Sequence, residues 1–259
     1  MQDPVQAWSP DTYNLIEKMA DQCESRGIPV INRARNLVNA GKTAAAEIIS
    51  KSGFRTPRTL RILDMQAFRQ DFNGMSVPFF VREDWGHGSA ILRANTLDEA
   101  RALPLESFKR PVVTELVDVR DERDGLFRKY RYFAAGEHGV AQHLQCSEDW
   151  ITRGAGRVFT DATRDEELAY IARQDPHHAR FQAARRALGL DVAAFDYGYD
   201  KDGKVVVWEV NPFPYIAFGR TTSTYRNVAI HRSIAAMLAS YFSLARLPVP
   251  LKLRQFLEY

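Results

Sequence analysis

The sequence has little of what marks a stapled, membrane-bound or charge-driven protein. Among 259 residues only Cys23 and Cys146 are cysteine. Two thiols so far apart give neither a disulfide framework nor metal-ligand spacing, and read as free thiols in a reducing compartment. Long apolar runs are missing too. The charge-free stretch Ser233 to Ala245 contains serines and is too short to span a bilayer. The opening MQDPVQAWSPD has no basic region followed by an apolar one, so no secretory signal is expected. Neither sign of charge dominates: Lys+Arg is 35 against Asp+Glu 32, a net of +3. That balance argues against nucleic-acid binding by bulk charge. No internal repeat or low-complexity tract is present. The expectation is a cytoplasmic protein with no nucleic-acid or membrane partner.

What is there is material for a core: 45% hydrophobic and 11% aromatic residues, with an ordinary 26% charged. Ser9-Pro10 reads as the start of a helix that Gly27 stops. Ile28–Ile31 reads as a short strand ending at Asn32. A helix fits Gly41 to Ser52, and Asp64 caps another reaching about Phe72. Strands are expected around Thr59–Ile62, Pro78–Arg82, Ala90–Leu92 and Pro111–Val117, with a helix capped at Asn95 or Thr96. Phe127–Ala135 and Val140–Cys146 form a hairpin through Gly136-Glu137-His138-Gly139. Two polar helices, near 163–173 and 176–188, precede a second hairpin from Val192 to Val210. A helix from about Thr222 to Leu244 follows. Helices mixed with antiparallel hairpins give an α+β class in two lobes.

The second hairpin carries the chemistry. Asp202-Gly203 is a favoured two-residue turn, pairing Lys201 with Lys204. Five residues further along each strand, Asp196 then stands opposite Glu209, their Cβ atoms about 4.5–5.5 Å apart. Asn211 shares the face of Glu209. Phe195, Tyr197, Tyr199, Val206, Trp208 and Val210 make the other, core face. A three-residue turn would break this constellation. Two like charges about 4 Å apart repel by about 4 kcal/mol at an effective dielectric near 20. Either one carboxyl holds a proton, or a cation sits between them. Two carboxylates with an amide oxygen, and no His or Cys nearby, are a hard-oxygen set suited to Mg²⁺.

The segment FDYGYDKDGKVVVWEVNPFP resembles the Asp…Glu-x-Asn metal hairpin of the ATP-grasp superfamily, of the glutathione synthetase-like, carboxylate–amine or thiol ligase type. The resemblance runs from about Gly27 to Gly219. GIPVINRARNLVNAGKTAAAEIISKSGFRTPRT is similar to the family's strand, Asn, nucleotide-facing Lys and helix. PFFVRED with WGHGSAIL resembles the strand and glycine-rich lid. VVTELVD resembles the adenine-hinge strand, and RKYRYFAAG the strand bearing an Arg near the reaction centre.

The resemblance implies an ATP-grasp fold, two lobes of antiparallel sheet clasping ATP. Residues 41–118 would form the small lobe with the lid and 119–259 the large lobe. Residues 1–40 would be a reduced α/β segment, completed by a second copy or a partner protein. ATP and Mg²⁺, or Mn²⁺ in its place, are the implied cofactors. Asp196, Glu209 and Asn211 would ligate the metal. Lys42 and Arg82 would meet phosphate, beneath a lid of Gly86, Gly88 and Ser89. Glu115 and Val117 would line the adenine pocket, with Asp118 near the ribose. Arg131 would stabilise the reacting group, and Arg220 would clamp a substrate carboxylate. The family usually has lysine where this chain has Arg82, which keeps the charge in a larger, forked group.

Outside that pattern, His143 alternates onto one face with Ala141 and Gln145. His177-His178 is expected at the surface, and Arg153 and Arg157 near substrate or product phosphate. The implied activity is an ATP-dependent, ADP-forming ligase joining a small-molecule or peptide carboxylate to an amine or thiol. The alternatives are a kinase acting on a hydroxyl and a nucleotide-binding module without turnover.

Overall fold

The computed structural model describes residues 9–85, 90–152, 156–216 and 221–258. Helix α1, Pro10–Ser25, begins on the proline, whose missing N–H has no partner in a first turn anyway. It ends where Gly27 takes φ +73°. Helix α2, Lys42–Lys51, is followed by Gly53 at φ +83°. Between them the expected strand over Ile28–Ile31 does not form. Asn32 turns the chain at φ 51°, and its side chain, not a ladder, joins this segment to the rest.

The first sheet contains β1 (Thr59–Arg61), β2 (Phe79–Glu83), β3 (Leu92–Ala94) and β4 (Pro111–Glu115), in the order β1-β4-β2-β3 and antiparallel throughout. Two short helices accompany it. The Asp64 carboxylate accepts from two N–H groups at the start of α3 (Met65–Asp71). Thr96 accepts from Glu99 at the start of α4 (Leu97–Arg101). Phe68, Phe72, Phe79, Val81, Leu105 and Val113 form the core here.

The second sheet contains β5 (Phe127–Ala135), β6 (His138–Ser147), β7 (Val192–Tyr199) and β8 (Val205–Asn211), in the order β6-β5-β7-β8 and again antiparallel. Helices α5 (Asp161–Ile171), α6 (His178–Ala187), α7 (Asn227–Leu244) and α8 (Leu251–Arg254) complete the chain. Tyr132, Phe181, Phe195 and Tyr197 are fully buried in its core. Each such ring contributes about 1.5–3 kcal/mol of burial. Among the described residues no helix is long and apolar enough to cross a membrane.

Both hairpins differ from expectation at their turns. Ala135 pairs with His138, so the first turn is only Gly136-Glu137, with Gly136 at φ +51°. The second has three residues, Lys201-Asp202-Gly203, rather than two. Asp200 N–H donates to the Lys204 carbonyl at 3.0 Å, and Gly203 takes φ +72°. The cause is local: the Asp200 carboxylate accepts from the N–H groups of both Asp202 and Lys204. The extra residue turns Val205 and Val207 toward the core beside Tyr197 and Tyr199. A β-bulge then restores the pattern. Asp196 pairs with Glu209 although Tyr197 pairs with Val207, leaving Trp208 as the extra residue. Val205 and Val207 therefore pack beside Tyr197 in the place expected of Val206 and Trp208; Val206 is still fully buried, and Trp208 is half-buried.

Candidate active site

One row of side chains crosses the second sheet. His143 on β6 pairs with Arg131 on β5, Arg131 with Asp196 on β7, and Asp196 with Glu209 on β8. Directly opposed residues of antiparallel strands share a face. Lys129 joins the same face two residues before Arg131. This floor meets the first sheet across a cleft of about 240 Å³. The cleft is lined by Lys42, Arg82, Glu115, Val117, Lys129, Arg131, Asp196 and Glu209, with Phe80, Trp150 and Trp208 among its apolar walls.

The two acids are met by basic side chains. Arg131 grips Asp196 through two hydrogen bonds, Nε to Oδ1 at 2.6 Å and Nη2 to Oδ2 at 2.9 Å. Lys129 Nζ stands 3.3 Å from Oδ2. Lys42 Nζ donates to Glu209 Oε1 at 2.7 Å. Burial pushes both carboxyls up, but nearby positive charge outweighs it. Lys129 and Arg131 hold Asp196 well below the usual carboxylate range, and Lys42 and Arg82 do the same for Glu209. Lys42 responds the other way: burial pulls its ammonium down further than Glu209 holds it up. The 2.7 Å contact between the two makes the ion pair the better description of this buried couple. Four cations, Lys42, Arg82, Lys129 and Arg131, thus line the cleft with three carboxylates, Asp196, Glu209 and Glu115, a positive surplus suited to a polyanion.

The donor set also fits a hard divalent cation. Asp196 and Glu209 stand opposite each other, and Asn211, buried at the end of β8, pairs with Ala194 two residues before Asp196. Asn211 Oδ1 accepts from Phe213 N–H at 2.9 Å, which fixes the amide at the end of the strand. Among the described residues no cluster of three His, Cys, Asp or Glu offers a competing metal site.

The structure therefore brings Lys42, Arg82, Glu115, Val117, Arg131, Asp196 and Glu209 to one cleft. It does not bring Asp118 there. β4 ends at Glu115, and the exposed Asp118 carboxylate is bound by Arg120 two residues on. Gly86, Gly88, Ser89, Arg153 and Arg220 lie outside the described residues. His177 and His178 are not free surface groups: their rings bond the hydroxyls of Tyr199 and Tyr132, each at 2.8 Å. Ala141 parts company with His143, because a bulge at Gln142 sets Ala141 opposite Tyr132.

Sequence reasoning missed Lys129 and Trp208. Lys129 was findable, since alternation puts it beside Arg131. Its neighbour Arg128 faces away, bound to Asp124 and Glu166. Trp208 was hidden by the bulge. Two contacts also join the lobes: Phe80 packs on Trp150 with ring centroids 5.2 Å apart, and Arg82 Nη2 donates to the backbone carbonyl of Trp208 at 3.3 Å.

No family model matches the chain. Among curated proteins it is similar to a coenzyme γ-F420-2:α-L-glutamate ligase of Methanococcus maripaludis. Identity there is 25% over 226 residues, 84% of this chain and 73% of the relative. Among solved structures it resembles the ATP-grasp ligase PsnB bound to a minimal precursor, with a TM-score of 0.56 and 18% identity over 86% of this chain and 69% of that one. It also resembles D-alanine–D-alanine ligase of Bacillus anthracis in complex with ATP, with a TM-score of 0.55 and 14% identity over 91% of this chain and 77% of that one. Two antiparallel four-stranded sheets enclosing a cation-rich cleft, superposable on these enzymes, have the ATP-grasp fold.

Proposed function

We propose that this chain is an ATP- and Mg²⁺-dependent ligase that activates a carboxylate as an acyl phosphate for attack by an amine, or by a thiol. The observation that carries the reading is the cleft floor. Two facing carboxylates, with an amide oxygen on the next paired position, are ringed by Lys42, Arg82, Lys129 and Arg131. Similarity to ligases that act on small molecules and on a peptide precursor supports the substrate class.

Asp196, Glu209 and Asn211 would hold Mg²⁺, which when bound supplies positive charge against phosphate oxygens. Lys42 and Arg82 then turn their charge to those oxygens. Leu116 and Val117, just past β4, offer backbone groups to the base, with Phe80 and Trp208 as apolar walls. Arg131 holds the reacting carboxylate and stabilises charge while a carboxylate oxygen bonds the γ-phosphorus and ADP leaves. The amine next bonds the carbonyl carbon, phosphate departs, and the nitrogen gives up a proton. The apolar walls limit water, which would otherwise hydrolyse the acyl phosphate. In this reading residues 41–118 and 119–259 are the two lobes. A second copy or a partner would complete the side formed by residues 1–40.

Calorimetry of ATP binding, with and without Mg²⁺, tests the proposal in the wild type and in Glu209→Gln. Saturable, Mg²⁺-dependent binding that weakens at least about tenfold in the variant is expected, the loss of one charge-assisted contact. Absence of ATP binding under every metal condition overturns it.

A further inference from the structure

We propose that a second cavity, at the outer edge of the large sheet, is a carboxylate-binding subsite built on Arg157. The cavity has a volume of about 400 Å³. Leu144, Cys146, Arg157, Glu167, Tyr225 and Arg226 are among its walls. It is large enough for a group of amino-acid size or somewhat more.

Charge matching inside this cavity is incomplete. Glu167 is already saturated. Its Oε1 accepts from Arg226 Nε at 2.8 Å and from Leu144 N–H at 3.1 Å. Its Oε2 accepts from Arg226 Nη2 and the Tyr225 hydroxyl, both at 2.7 Å. One buried carboxylate and one arginine thus neutralise each other. Asp161 and Arg164, also on the cavity walls, pair with each other at 3.2 Å, and Arg157 is left over. Among the described residues it forms no ion pair, and its buried Nε has no hydrogen-bond partner. Its guanidinium contacts the Phe159 ring, 4.5 Å from the centroid. Burial and the charge of Arg226 pull its pKa down further than Glu167, already held by Arg226, raises it.

A ligand that repairs this defect brings one negative charge and acceptors that match a planar fork. A carboxylate does both. A phosphate dianion matches less well, because both its charges sit on one centre and the second would face Glu167, whereas the second carboxylate of a dicarboxylate such as succinate lies several bonds away. The position suits a substrate anchor. Leu144 follows His143, which pairs with Arg131 on the cleft floor, and the charge of Arg226 reaches the His143 ring. Alternation turns Leu144 and Cys146 away from the face that carries His143, so the cavity lies at the outer edge of β6, beside the cleft floor and not within it. That the bound carboxylate belongs to the ligase substrate, held but not activated, rests on the proposed function. The anion site itself does not.

The test titrates succinate and inorganic phosphate into the full chain by calorimetry, for the wild type, Arg157→Gln and Arg157→Lys. Expected are saturable succinate binding, a loss of at least about tenfold in Arg157→Gln, partial recovery in Arg157→Lys, and weaker binding of phosphate than of succinate. Arg157→Gln should melt no lower than the wild type, since it removes an unmatched charge, which separates lost binding from lost folding. No succinate binding to the wild type, equal binding by Arg157→Gln, or tighter binding of phosphate overturns the subsite. Mg²⁺ with a non-hydrolysable ATP analogue is titrated into the same samples. Nucleotide binding without succinate binding sinks the subsite alone. Succinate binding without nucleotide binding supports the anion site and sinks the ligase reading.

Discussion

Asn32 offers the most demanding check of how the N-terminal segment is held. Its amide is 5% exposed and every polar atom is used. Nδ2 donates to the carbonyls of Val192 at 2.8 Å and Pro212 at 2.7 Å. Oδ1 accepts from the N–H groups of Asp191 at 2.8 Å and Val192 at 3.0 Å. These atoms flank the hairpin of β7 and β8 at both ends, Val192 opening β7 and Pro212 following Asn211. A buried hydrogen bond contributes about 1 kcal/mol net, so Asn32→Gly should cost about 4 kcal/mol. That is a large share of a total usually about 5–15 kcal/mol. Glycine accepts the φ of 51° without strain, whereas Asn32→Ala adds about 1 kcal/mol for a left-handed residue with a Cβ. Urea denaturation of the wild type and both variants measures the two terms separately. If Asn32→Gly falls within about 1 kcal/mol of the wild type, the side chain is not the clamp that geometry makes it.

Three further outcomes follow from other parts of the fold. Burial pushes the Cys146 thiol up to about 11, leaving about one molecule in a thousand as thiolate at pH 8; an aromatic disulfide reagent should titrate one thiol quickly and the second only in denaturant. Arg123, against the partial burial that raises it, holds the Asp121 carboxyl down at about 2. The unfolded chain therefore takes up this proton first on acidification, and stability present above the ordinary carboxylate range should decline as pH falls from about 4 through about 2, read as a falling urea midpoint. A Cβ at Gly198 would stand 2.8 Å from the Arg128 carbonyl oxygen and 3.0 Å from the Trp208 ring. Gly198→Ala should cost about 1–3 kcal/mol and weaken nucleotide binding by displacing that wall; unchanged calorimetric affinity would show the ring plays no part in it.

Much of this was legible in the sequence where one local rule decides. Caps at Asp64 and Thr96, and the glycine stops at 27 and 53, each rest on a single residue's chemistry. The opposition of Asp196 and Glu209 was readable too, but for a partly mistaken reason. Two irregularities, a longer turn and a bulge, cancel at that pair and not between it and the turn. Asp200, which sets the turn, acts through its side chain, a signal that strand alternation does not carry. The Ile28–Ile31 segment misled because its apolar run is tied down by a distant hairpin through one amide. Arg157 was singled out by charge alone; only the third dimension shows that its neighbours already have partners.

The bulge at Trp208 has a practical consequence. It places an indole and a carboxylate, consecutive in the chain, opposite the same residue of the neighbouring strand. The chain has four tryptophans, and two of them, Trp150 and Trp208, line the same cleft. Its native emission is thereby tied to whatever enters beside Glu209, so intrinsic fluorescence reports occupancy there without any attached dye.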